Sequence, residues 1–140
     1  MDTIVLDTNV LVSAILTNGP PAAIVDLIAN GNLRLIYNDH IINEYCKVLY
    51  RPKFGFIPLQ VDRLLDNILR TGLAIEVIPS TISMIDEDDR KFYDAAKTSL
   101  AFLVTGNKRH FPKEPFIITP ADFLKTYLEK TSGNRDSRVQ

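Results

Sequence analysis

Residues 3–14, TIVLDTNVLVSA, restrict what this chain can fold into more than any other stretch. Ile4-Val5-Leu6 is an unbroken apolar run between Thr3 and Asp7, the pattern of a strand covered on both faces, as inside a parallel sheet. Asp7 ends the run. Thr8 and Asn9 follow, and Val10, Leu11, Ala14 and Ile15 then recur at helical spacing. The segment reads strand, tight polar turn, helix. In open α/β sheets ligands bind outside the carboxyl ends of the strands, and Asp7 falls at such an end. A carboxylate there, beside the side chains of Thr8 and Asn9, suits a cation, or a phosphate held through one. Asp7 and Asn9 also suit helix caps, and this stretch alone does not separate the two readings.

The same alternation continues along the chain. Further strands are expected over residues 33–37, 74–78, 101–104 and 116–118, with Glu76 marking the third of the five strands as an edge. Helices are expected over residues 21–29, 39–50, 59–71 and 121–130, and one more is led into by residues 84–89 and runs to about 99. Asn38 or Asp39 and Thr119 are the expected caps of two of these helices. Strands alternating with helices imply an α/β/α sandwich around a mostly parallel sheet of four to five strands. A chain of 140 residues suits one domain. We expect residues 1–131 to form it, and residues 132–140, polar and without apolar periodicity, to be a disordered tail.

Composition excludes some classes. The chain is 46% apolar and 24% charged. It has no apolar run near the ~20 residues of a membrane helix, no basic-then-apolar leader, and a single cysteine, Cys46, which suits a reducing cytosol. A cytoplasmic location without membrane partners is therefore the expectation. With a net charge of −1, a polyanion would have to be held by a local patch or a metal.

Three other places put polar groups where chemistry could occur. Glu44 borders the apolar face formed by Ile41, Ile42, Tyr45, Val48 and Leu49, and can reach into a cleft or bend out to water. In the acidic run 86–89, which also complements a helix start, Asp89 lies on the side of the packed residues Phe92, Ala95 and Ala96. Asp94 lies nearly opposite, toward solvent. Thr105-Gly106-Asn107 ends a strand, is a good turn in itself, and projects Thr105 and Asn107 at the rim that carries Asp7. The topology can bring Asp7, Glu44, Asp89 and Asn107 to that rim. Hard oxygen ligands without His or Cys favour Mg²⁺ or Mn²⁺, and a bound cation would let clustered carboxylates stay ionised together. Such an ion, single or paired, suits phosphodiester hydrolysis. Lys108 and Arg109, after the Asn107 turn, could meet an RNA backbone. His110 is read as an anchor of that turn or a general acid. Lys47, Arg51 and Lys53 are expected near a helix C-terminus in any case, and Tyr45, Phe92 and Phe102 are read as core.

These residues resemble a known family. IVLDTNVLVSA, Asn43-Glu44-Tyr45, DEDDRKFYDAA and LVTGNKRHFP are similar to the motifs of PIN-domain proteins, in particular the small stand-alone prokaryotic ones grouped with the toxins of toxin–antitoxin pairs. The resemblance extends to about residue 128. It implies a metal-dependent endoribonuclease, often a homodimer, silenced by an antitoxin protein. It places Asp7, Glu44 and Asp89 as the metal-holding acids and Asn107 as a fourth site residue, with Asp94, Thr8, Asn9 and Thr105 secondary. Many of its members carry an acid after Thr-Gly. Asn107 is neutral and would hold a second metal less well, although its carbonyl can still ligate or orient a water. That departure motivates a competing expectation, a non-catalytic PIN-like module that binds RNA or a protein. An aspartyl phosphatase ranks behind both, because Asn9 stands where its second aspartate belongs.

Overall fold

The computed structural model describes the backbone of residues 2–139 and the side chains of residues 2–131. Five parallel strands form one sheet: β1 (Asp2–Leu6), β2 (Leu33–Tyr37), β3 (Leu73–Ala74), β4 (Phe102–Val104) and β5 (Ile117–Ile118). They are ordered β3-β2-β1-β4-β5. Among the described residues six α-helices surround them: α1 (Thr8–Leu16), α2 (Pro20–Ala29), α3 (Asp39–Leu49), α4 (Pro58–Thr71), α5 (Arg90–Ser99) and α6 (Pro120–Val139). This is the expected α/β sandwich with a parallel sheet.

The apolar run is the centre of the core. Ile4, Val5 and Leu6 are fully buried, which requires cover on both faces of β1. Ile4 pairs with Leu35 of β2 and with Phe102 of β4. α5 packs across β1, β2 and β4, while α2 packs against α1, α4 and α6. Because β2 lies on one side of β1 and β4 on the other, the strand order reverses at β1. Such a reversal opens a crevice at the carboxyl ends of the two strands, where α/β proteins bind ligands.

Local chemistry sets the element ends. Asn38 caps α3 through its side-chain oxygen, which accepts from the Ile41 N–H at 3.0 Å, and the Thr119 hydroxyl caps α6 by accepting from the Asp122 N–H at 3.2 Å. The end of α4 is clamped to β2. Arg34 donates to the carbonyls of Thr71 and Gly72, and the Tyr37 hydroxyl donates to that of Leu69. Gly72 is required there, because a Cβ would sit 2.5 Å from the carbonyl oxygens of both Ile68 and Leu35.

One expectation needs correction. The strand expected over 74–78 shrinks to β3, Leu73–Ala74, with one further bond from the Ile75 N–H to the Tyr37 carbonyl. β2 ends at Tyr37, so the chain beyond has no ladder to join, and β3 is an edge as Glu76 suggested. Residues 84–89 lead into α5 as expected, through a 3₁₀ turn, Glu87–Asp89, that holds the acids outside the helix. At the C-terminus, the backbone of α6 is continuous through Val139. The side chains of the polar segment 132–140 lie outside the described residues. Among the described residues no single helix is long and apolar enough to cross a membrane.

Candidate active site

The crevice beside β1 is built from the strand ends outward. The Asp7 N–H donates to the Val104 carbonyl at 3.0 Å, carrying the β1–β4 ladder one step past the strands. This sets Asp7 beside Thr105, whose hydroxyl donates to Asp7 Oδ2 at 2.8 Å. The same hydroxyl accepts from the Asn107 N–H at 3.0 Å. With its acceptor side filled by an amide, the Thr105 hydroxyl has its proton aimed at the carboxylate. Asp7 occupies the N-cap position of α1 without a side-chain capping bond, so the Thr105 hydroxyl is the donor that orients its carboxylate. Asp7 is 7% exposed. Burial is the main force raising its pKa, opposed by Thr105, reinforced by the Glu44 charge, and opposed again by the backbone amides of Thr8 and Asn9.

Glu44 arrives from α3 and is held to the Asp7 turn in two ways. The Thr8 hydroxyl donates to Glu44 Oε2. Next to it in sequence, Tyr45 is fully buried and donates its hydroxyl to the carbonyl of Leu6, the residue before Asp7, at 2.6 Å. Burial, then Asp7, then Glu44 push the Tyr45 phenol well above its ordinary pKa, so it remains a neutral donor. The other Glu44 oxygen, Oε1, accepts from Lys91 Nζ at 2.7 Å. Lys91 stands at the start of α5 and donates also to the Asp88 carbonyl at 2.8 Å.

Asp89 is half-buried at the end of the 3₁₀ turn. Its carboxyl is raised to about 6, by burial first and then by the charges of Asp7 and Asp86; His110 opposes this and Glu44 adds to it. Asp7, Glu44 and Asp89 thus repel one another across a single crevice. Among the described residues no three acidic, histidine or cysteine side chains are already gathered as a set of metal ligands. In kind, the donors fit a hard divalent cation: carboxylate oxygens, with Asp7 and Asp89 raised by burial and by neighbouring negative charge that a cation between them would relieve.

The remaining residues are placed as follows. Thr8 and Thr105 are buried in the site. Asn9 and Asn107 are exposed, and Asn107 contributes its backbone amide to Thr105. Asp94 does not face solvent as its wheel position suggested. It is 4% exposed, beneath the segment between β3 and α5, where it accepts from the Ser80 N–H at 3.2 Å and leaves Oδ1 without a partner. The wheel failed because a loop, rather than a regular element, covers that face of α5. Arg90 ties the loop down by bonding Ser80, Ile82 and Glu87. His110 is exposed, so its ring does not anchor the turn; the backbone closes it through the His110 N–H and the Asn107 carbonyl. Lys108 and Arg109 border an open groove of about 750 Å³ with Phe111, Lys113 and Ile117. Sequence reasoning took Tyr45 as core alone and overlooked Lys91. The signal for Lys91 was a lysine two residues after the best-placed acid of the run.

A parallel α/β sheet with carboxylates gathered at its switch point defines an α/β protein with an acidic crevice. Residues 3–109 match the PIN domain family, and the chain belongs to that family. It is 34% identical over 110 residues to the uncharacterized protein MJ1680 of Methanocaldococcus jannaschii, covering 75% of this chain and 70% of that one. Its fold is similar to a chain in the crystal structure of VapBC2 from Rickettsia felis bound to a DNA fragment from their promoter. The TM-score is 0.54 and the identity 21%, over 84% of this chain and 96% of that one.

Proposed function

We propose that this protein is a Mg²⁺- or Mn²⁺-dependent endoribonuclease and the toxin of a toxin–antitoxin pair. The observation that carries this reading is the mutual repulsion of Asp7, Glu44 and Asp89 across the crevice at the switch point. Carboxylates held in such a place lower their free energy by sharing a cation. Those three would hold it, with the amide oxygen of Asn107 as a neutral supporting group. A bound divalent ion supplies positive charge to a phosphodiester and lowers the pKa of a water. The chain's own part is positional. Thr105 favours the ionised form of Asp7 and orients it, and Thr8 and Tyr45 hold Glu44 at the end of β1. Lys108 and Arg109, at the lip of the adjoining groove, would meet phosphates of a single-stranded RNA. Membership of the PIN domain family supports the nuclease reading. The likeness to a VapBC2 chain supports an antitoxin partner, and a homodimer belongs to the same proposal.

A second reading, an RNA- or protein-binding module without catalysis, draws on the neutral, exposed Asn107 and on the Lys91 contact that already satisfies Glu44. One experiment separates them. Purified protein, freed of any partner, is incubated with a pool of single-stranded and structured RNAs in Mn²⁺, Mg²⁺ or EDTA, beside a folded Asp7→Asn variant. Cleavage that needs the metal and is lost in the variant is the expected result. RNA binding without cleavage under any condition would establish the binding module instead.

A further inference from the structure

We propose that Lys91 is a built-in competitor of the divalent cation for Glu44, and so sets the metal concentration at which the site fills. This rests on the reading of Asp7, Glu44 and Asp89 as metal-holding acids. The crevice carries several negative groups, and among the described residues a single ammonium makes a direct ion pair with one of the three acids. Lys91 Nζ bonds Glu44 Oε1 at 2.7 Å, while Thr8 occupies Oε2, so both oxygens of Glu44 are engaged. The pair is sheltered, with side chains about one-fifth exposed, 20% for Lys91 and 23% for Glu44. It therefore has more weight than a freely exposed pair.

The lysine is also tethered independently of Glu44. Its Nζ bonds the Asp88 carbonyl at 2.8 Å and lies 5.6 Å from the centre of the Phe92 ring. When Glu44 turns to a cation, Lys91 thus keeps two of its three partners, and the exchange leaves no buried charge stranded. Chemically the two competitors are alike to Glu44, since each is a hard cation seeking carboxylate oxygen. The difference is that Lys91 is always present, so an incoming ion must displace it.

The test is Mn²⁺ binding by isothermal titration calorimetry in the absence of RNA, on the wild-type chain, Lys91→Met, Lys91→Gln and Asp7→Asn, with circular dichroism to confirm folding. Methionine keeps the stem that packs on Phe92 and removes the charge. Both Lys91 variants should bind Mn²⁺ about tenfold more tightly, since they lose a sheltered ion pair and a repelling charge together. The second substitution guards against a packing effect of either one. Equal affinity in wild type and both Lys91 variants, with binding lost in Asp7→Asn, would overturn the competition while leaving the metal site standing. Weaker binding in the variants would also overturn it, making Lys91 a support that positions Glu44 for the metal. If neither wild type nor variants bind Mn²⁺, the metal site itself fails and the competition with it.

Discussion

Replacing Asp89 by asparagine should make the metal-free protein more stable at neutral pH. The folded carboxyl is raised from 3.8 to about 6, and that displacement of about two pH units corresponds to ~3 kcal/mol at full strength. Asp89 is only half-buried, and solvent screening reduces the effect to ~1–1.5 kcal/mol. The sign follows from proton binding. Between pH 4 and 6 the folded protein holds a proton at Asp89 that the unfolded chain has released, so stability falls as pH rises through that window. Above it, the ionised carboxylate remains a destabilising charge beside Asp7, Asp86 and Glu44. Asparagine keeps the shape and removes the charge. In EDTA, urea unfolding at pH 8 should show Asp89→Asn to be ~1–1.5 kcal/mol more stable than wild type, with Tm higher by about 3–5 °C. The gain should shrink to a few tenths of a kcal/mol by pH 4. A gain independent of pH, or a loss of stability at pH 8, would refute the placement of Asp89 among repelling acids.

Two further outcomes test the scaffold around the site. Thr105→Val leaves the buried Asp7 carboxylate without its hydroxyl donor. It should cost ~1.5–3 kcal/mol at pH 8 and less at pH 4, where more of the raised Asp7 carboxyl is protonated, as read by urea unfolding at the two pH values. Gly72→Ala drives a Cβ to 2.5 Å from two backbone carbonyl oxygens. It should lower stability by ~2 kcal/mol or more through displacement of α4 from β2, measured by thermal unfolding.

What this chain's sequence determined is local. Alternating apolar runs and amphipathic spacings specify strand and helix from neighbouring residues alone, so the parallel α/β order was legible. So was the position of Asp7 one residue past β1, because a buried strand must end where the apolar run ends. Glu44 and Asp89 could be nominated from their helical wheels, since each borders a packed face. Tertiary structure decided the rest, because it depends on which distant surfaces meet. β3 is short because β2 ends at Tyr37, and no spacing within residues 74–78 contains that fact. Asp94 is buried because a loop tied down by Arg90 crosses its face of the helix. The Lys91–Glu44 pair joins residues 47 positions apart. The Thr105–Asp7 bond spans 98 positions, because strand order reverses at β1 and brings two remote strand ends side by side.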